Sequence, residues 1–131
     1  ESTSVCTSHT SSGCFVVTAA TRALRVGRIE TAKAFLLMRR FKDQRMMADE
    51  RGRILLSASY RAAPQLVAEL DKRPDAIEIY GNIWRDYIQQ ACDAARLGDY
   101  VSAECIYTAM VERLLFAPLD DFKVCVQVRG V

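Results

Sequence analysis

The sequence holds few of the residues that interrupt helices, with three prolines and six glycines among 131 residues. So sparse a supply of turn residues favours helices joined by short turns over many short strands. The longest apolar stretch near the end, residues 114–119, contains six residues, far short of the roughly 18 that a membrane-spanning helix needs. The glycines are isolated, which argues against a glycine-rich phosphate loop. We therefore expect one soluble globular domain with no membrane span.

Histidine is the scarcest chemically active residue, because His9 is the only one. It lies between Cys6 and Cys14 in a C-x2-H-x4-C spacing, which supplies three of the four ligands that zinc takes, with Cys125 as a candidate fourth. The usual paired C-x2-C arrangement is absent, so we expect no metal and no cofactor. A Cys–His nucleophilic pair would use the same Ser/Thr-rich segment, which lacks an orienting third group. We expect no enzymatic activity.

The five cysteines are odd in number and do not form a disulfide framework at this chain length and spacing. Cys92 and Cys105 lie among apolar residues, where a free thiol behaves as a small hydrophobic group. A reducing, intracellular compartment is the resulting expectation. Because the chain begins with Glu1 rather than Met, we expect processing, and the compartment is the cytoplasm or an organelle such as the mitochondrion after presequence removal.

Apolar residues at three- and four-residue spacing predict helices along most of the chain. The first begins at Cys14, and Gly27 after it is typical of a left-handed cap. A second runs from about residue 29 to 48, and shorter helices begin near Ala63 and Pro74. The inner side of the second helix is predicted to hold Ile29, Ala32, Phe35, Leu36, Met46 and Met47. The inner side of the short helix after Ala63 is predicted to hold Leu66, Val67 and Leu70.

The strongest helical pattern covers residues 75–97, ends at Gly98 and is followed by a helix that Asp99 caps and Pro118 stops. Its predicted inner positions are Ile77, Tyr80, Trp84, Tyr87, Ile88, Ala91, Cys92 and Ala95. The following helix is predicted to bury Val101, Ala103, Ile106, Tyr107, Met110 and Leu114. Tyr80, Trp84 and Tyr87 form an aromatic stripe that we assign to core packing, with an exposed partner-binding site as the alternative.

These elements predict an all-α fold, an antiparallel bundle of about five or six helices. Residues 1–13 form a Ser/Thr-rich tail, residues 14–118 the helical domain, and residues 119–131 an extended tail. Apolar residues alternate from Phe122 to Val128, which is typical of a short strand. A lone strand is unstable, so it pairs with another chain, pairs with the segment around residues 15–17, or does not form.

Two stretches, residues 23–32 and 94–103, share small residues, a glycine turn, then an apolar residue and an alanine. They lie 71 residues apart, close to twice the period of about 34 residues of tetratricopeptide repeats. The pattern resembles the helical hairpin of tetratricopeptide-like repeats, and the second copy is also similar to microtubule-interacting-and-trafficking domains. The resemblance implies a helical scaffold that binds proteins through a groove or an outer face. Residues 48–75 do not fit the repeat, and a generic helical hairpin gives a similar signal.

Charge is unevenly distributed: residues 22–53 hold ten Lys or Arg and four Asp or Glu, whereas residues 69–121 hold five and eleven. Such asymmetry favours oriented encounter with a partner or self-association, although solvated helix faces give the same count. Asp86, Asp93 and Glu104 have the spacing of solvent-facing positions. The predicted partner-binding residues are Arg22, Arg25, Arg28, Arg39, Arg40, Lys42 and Arg45.

The sequence thus favours a non-catalytic protein–protein interaction module, a structural or adaptor subunit of a larger complex. Its expected partners are other protein chains, including a second copy joined through the C-terminal strand. The alternative function is RNA or nucleic-acid binding through the basic segment 22–53, because phosphate contacts need clustered basic residues. The acidic second half would repel a polyanion, which makes this the second choice.

Overall fold

The computed structural model describes residues 13–123, and within them the chain is helical and contains no strand. Five helices follow one another: α1 (Gly13–Leu24), α2 (28–46), α3 (Glu50–Asp71), α4 (76–96) and α5 (Tyr100–Phe116). Helix α2 consists of Arg28–Phe41 and a π-helical turn, Lys42–Met46; α4 contains a π-helical turn at Trp84–Ile88. A 3-10 turn, Leu119–Lys123, follows α5. The prediction of an all-helical fold is confirmed for this part of the chain.

The helices surround a single hydrophobic core, in which α4 and α5 form a hairpin joined by a short turn. Helix α1 packs on α3 and on the N-terminal part of α4, while α2 packs on the C-terminal part of α4 and on α5. Helix α3 lies against α1 and α5. The predicted aromatic stripe belongs to this core, since Tyr80 and Tyr87 are buried and Trp84 is half-buried against it.

Helix α3 runs without a break through Pro64, so the prediction of a separate short helix beginning near Ala63 was wrong. The buried face continues on both sides of the proline, with Leu56 and Ala63 before it and Val67 and Leu70 after it. Proline removes one backbone hydrogen bond from a helix interior. Burial of this continuous apolar face outweighs that loss.

The predicted inner face of α4 was wrong at its start, because Ile77 is 59% exposed while Ile79 and Ile83 are fully buried. One row of buried positions recurs every four residues, and Tyr80, Ile88 and Cys92 are buried beside it; the row comprises Ile79, Ile83, Tyr87, Ala91 and Ala95. In a regular α-helix with 3.6 residues per turn, a four-residue repeat drifts steadily around the helix. The wider π turn at Trp84–Ile88 absorbs part of this drift and keeps the row facing the core.

The predicted inner face of α2 was wrong at four of its six positions. Ile29 is 75% exposed, Leu36 is 53% exposed, and the core side instead carries Ala34, Met38 and Phe41. Ala32 and Met47 are exposed as well, whereas Phe35 is half-buried and Met46 is buried. Helix α2 carries apolar residues on both sides, so the spacing of these residues is compatible with burial of either face. The face with Phe41 is buried because it meets Tyr107 of α5, edge to face with ring centroids 5.6 Å apart.

The end of α1 is capped by Arg25 and not by Gly27, which corrects the predicted left-handed position. Arg25 has φ 58°, its N–H donates to Arg22 O, and the Val26 N–H donates to Thr21 O at 2.9 Å. Gly27 has φ −64° and precedes α2 in an extended conformation. At the end of α4, by contrast, Gly98 has φ 84° and occupies the left-handed position as predicted.

Replacing Arg25 with glycine is expected to raise the free energy of unfolding by about 0.5–1 kcal/mol, because glycine takes a positive φ without the Cβ penalty. The measurement is urea denaturation followed by circular dichroism. Gly98→Ala is the matched control, because it adds a Cβ at a residue with positive φ. It is expected to destabilise the protein by a similar amount. A destabilising Arg25→Gly substitution would show that the arginine side chain contributes to folding.

The 3-10 turn Leu119–Lys123 is fixed to α4 by burial and to the residues just before α4 by ion pairs. Phe122 is buried edge to face against Tyr87 at 5.8 Å, and Asn82 Nδ2 donates to Phe122 O at 2.6 Å. Arg73 pairs with Asp75 and Asp120, and Lys123 Nζ lies 2.9 Å from Asp75. The hydrogen bonds from Arg73 and Lys123 hold the pKa of the Asp75 carboxyl well below its usual range.

The predicted extended tail therefore begins with a 3-10 turn at Leu119–Lys123, and the predicted strand does not include Phe122 or Lys123. Burial of the Phe122 ring against α4 stabilises the turn, which a local alternation pattern does not reveal. The rest of the predicted strand, residues 124–128, lies outside the described residues. The same holds for the Ser/Thr-rich tail through residue 12 and for Cys6, His9 and Cys125.

Candidate interaction surface

One side of α2 faces away from the core, and we call it the α2 outer face. It comprises Ile29, Ala32, Lys33, Leu36 and Arg40, all of them exposed, with Arg28 and Arg39 exposed on one flank. At 3.6 residues per turn, Ile29, Leu36 and Arg40 fall within about 40° of one another around the helix. Two large apolar side chains thus lie in a row among basic ones.

Six of the seven predicted partner-binding residues are exposed, namely Arg45, which pairs with Glu104, and five others: Arg22, Arg25, Arg28, Arg39 and Arg40. Within residues 13–123, none of these five side chains takes part in an ion pair. Arg22 lies at the end of α1 and Arg25 in the following turn, whereas the other three belong to α2. Their positive charges therefore remain available to a partner.

The other two predicted residues, buried Lys42 and exposed Arg45, contact side chains of α5. The Lys42 side chain is buried, with Nζ 5.2 Å from the centroid of the Tyr107 ring, a favourable cation–π geometry. Arg45 Nε donates to Glu104 Oε1 at 2.5 Å. Both contacts join the π turn of α2 to α5. We therefore remove Lys42 and Arg45 from the candidate surface.

The acidic half of the chain uses many of its charges internally. Each ion pair found among residues 13–123 takes its carboxylate from the acidic segment 69–121. Asp86 is buried and pairs with Arg85, which corrects its predicted solvent-facing position. Asp99 caps α5, and hydrogen bonds from the side chain and backbone of Ser102 lower the pKa of its carboxyl. The negative charge of segment 69–121 is therefore partly neutralised by ion pairs within the described chain, whereas most of the basic residues of segment 22–53 form no such pair.

A second exposed apolar row lies along α5, and sequence reasoning missed it. Val101 is 53% exposed and Phe116 is 80% exposed, with exposed Cys105 and Ala109 between them. Leu97, in the preceding turn, is 84% exposed. Val101 was predicted to be buried, but α5 is apolar around most of its circumference and only one side meets the core. That all-round apolar character is the signal that could have found this row.

The two cysteines with described side chains differ in environment. Cys92 is buried with Sγ 3.8 Å from Ala34 O, and burial raises the pKa of its thiol to about 11. Cys105 is a free, exposed thiol, which corrects the prediction that both pack as small hydrophobic groups. Among residues 13–123, no three His, Cys, Asp or Glu side chains converge as metal ligands would. No helix in this range is both long and apolar enough to span a bilayer.

Comparison of the chain with protein-family models, curated proteins and solved structures found no match. The resemblance to tetratricopeptide-like and microtubule-interacting-and-trafficking hairpins therefore stays a prediction. Gly27 and Gly98, which correspond in the two similar stretches, have φ values of opposite sign. The two turns are thus built differently.

Proposed function

We propose that this chain is a non-catalytic protein–protein interaction module, a structural or adaptor subunit of a larger assembly, and that the α2 outer face is its main partner-binding surface. The observation that carries the proposal is the pair of exposed apolar side chains, Ile29 and Leu36, set among arginines that have no ion pair within the described chain. Exposed apolar groups at the centre of a polar rim are typical of protein interfaces.

The exposed apolar row on α5 supports the adaptor role. Leu97, Val101 and Phe116 lie on elements other than α2, so the module offers two separate apolar surfaces. An adaptor needs at least two surfaces to join two partners. The exposed free thiol of Cys105 fits an intracellular, reducing environment for such an assembly.

Nucleic-acid binding is the second candidate, and the observation that favours it is the group of exposed arginines from Arg22 to Arg40 that form no ion pair among residues 13–123. Binding to single strands usually adds aromatic side chains on which bases stack. The α2 outer face carries no aromatic side chain, and its centre is apolar. These features support a protein partner over a nucleic acid.

The test is quantitative affinity capture from the cells that naturally produce the chain, with wild-type protein and an Ile29→Ser/Leu36→Ser variant as baits. We expect the variant to lose at least one specific partner by about tenfold or more, because truncation of central apolar anchors dominates binding loss. The matched control is Ile54→Ser, which removes a 61% exposed isoleucine from α3.

Partners retained equally by all three baits would contradict the proposed surface. Recovery of nucleic acid that weakens steeply with salt and depends on Arg28, Arg39 and Arg40 would favour the second candidate. Circular dichroism of each bait verifies that the fold is unchanged, as expected for substitutions at exposed positions.

A further inference from the structure

We propose that the α2 outer face receives an acidic, amphipathic helical segment of a partner protein. This inference rests on the proposed function and adds the chemistry of the ligand. It follows from the order of apolar and charged groups on α2 and from the absence of internal partners for those charges among residues 13–123.

The apolar row sets the length and periodicity of the ligand. Ile29 and Leu36 are seven residues apart, which places them about 10 Å apart along the helix axis. A second helix with apolar residues at i and i+7, or at i, i+3, i+4 and i+7, presents its own anchors at the same spacing. Exposed Ala32 lies between the two on the same side and leaves room for a side chain of the partner.

The basic residues of the α2 outer face indicate that the ligand carries negative charge. Arg28 and Arg39 lie on one flank of the row, Lys33 lies on the other, and Arg40 lies close to its centre. Glu30, in the first turn, is the one acidic residue of Arg28–Phe41, and Asp43 follows in the π turn, so basic residues outnumber acidic ones around the α2 outer face. A basic ligand would be repelled at this surface, whereas Glu or Asp side chains beside the apolar anchors of the partner would pair with the arginines.

The turn before α2 adds one more basic residue to this surface. Arg25 occupies a left-handed conformation that glycine would adopt without strain, and yet a glycine follows only two residues later. This conformation ends α1 through the Val26 N–H, which donates to Thr21 O at 2.9 Å. The turn thus carries one more exposed arginine, three residues before Arg28 in the chain.

The apolar centre distinguishes this ligand from other anions. A phosphate backbone would pair with the arginines but leave Ile29 and Leu36 exposed to water. A membrane surface would accept both, but interfacial helices usually also insert aromatic anchors, and the α2 outer face has none. An acidic amphipathic helix would pair its carboxylates with the arginines and cover Ile29 and Leu36 with its apolar side chains.

The experiment measures binding of fluorescent 20-residue helical peptides to the full chain by anisotropy. The probe has a Glu-rich sequence with leucines at i, i+3, i+4 and i+7. One control peptide replaces the leucines with serine, and another replaces each glutamate with lysine. A short single-stranded RNA and vesicles with anionic lipid are the two other probes.

We expect the acidic leucine peptide to bind best and its affinity to fall about tenfold or more in Ile29→Ser/Leu36→Ser and in Arg28→Gln/Arg40→Gln. Ile54→Ser and Arg61→Gln, which change exposed residues of α3, should leave binding unchanged. Equal binding of the acidic serine peptide, or stronger binding of RNA or vesicles, would overturn the inference. Absence of peptide binding would also overturn it, whereas the proposed function would fail only if affinity capture showed no dependence on the α2 outer face.

Discussion

Replacing Phe41 with alanine is expected to lower the free energy of unfolding by about 3–5 kcal/mol, the usual range for a large aromatic side chain removed from a packed core. The Phe41 ring is fully buried and meets Tyr107 edge to face. It lies at the last α-helical residue of α2, directly before the π turn, where Lys42 also contacts Tyr107. The loss of the ring therefore leaves a cavity at the joint between α2 and α5.

The matched control is Phe116→Ala, since Phe116 is 80% exposed at the end of α5. Its removal should change the free energy of unfolding by no more than about 0.5 kcal/mol. Urea denaturation followed by circular dichroism measures both variants. Similar losses for the two substitutions would mean that α2 does not pack on α5 as described.

Gly52→Ala is expected to destabilise the protein by about 2–3 kcal/mol, although alanine normally stabilises a helix. Gly52 lies in the first turn of α3, where its N–H donates to the capping carboxylate of Asp49 at 3.3 Å. A Cβ at this position would overlap the backbone carbonyl oxygen of Met46 and lie 2.8 Å from the Met46 Cα. The clash is with backbone, so relief requires movement of the whole connection between α2 and α3.

The comparison variant is Gly81→Ala, because Gly81 lies inside α4 and a Cβ there would meet nothing within 4 Å. This substitution should stabilise the protein by about 0.5–1 kcal/mol through helix propensity and reduced entropy of the unfolded chain. Opposite signs for the two glycines, in the same denaturation experiment, are the expected result. A stabilising Gly52→Ala would contradict the close approach of α3 to Met46.

Local sequence patterns were sufficient to predict the helical class, the cap at Gly98 and the stop before Pro118. These patterns failed where two alternative structures fit the local sequence about equally well. Helix α2 is apolar on two sides, and only its contact with Tyr107, which is distant in sequence, selects the face with Phe41. Proline statistics likewise predicted a break at Pro64, but the tertiary contacts of α3 keep the helix continuous.

The candidate surface was predictable in part. The basic segment was evident from composition, and five of its seven predicted residues are exposed on or beside α2 without an ion pair among residues 13–123. Lys42 and Arg45 were indistinguishable from them by sequence, because their contacts lie on α5, 59 residues further along the chain in the case of Arg45 and Glu104. The apolar centre of the surface was missed because Ile29 and Leu36 were assigned to the core.

The central claim is that the α2 outer face binds protein partners, and the most direct measurement is the ratio of partner recovered by Ile29→Ser/Leu36→Ser to that recovered by Ile54→Ser. Both baits lose exposed aliphatic side chains, but only the first loses them from α2. We predict a ratio of about one tenth or less for at least one partner. A ratio near one for every captured protein would contradict the claim.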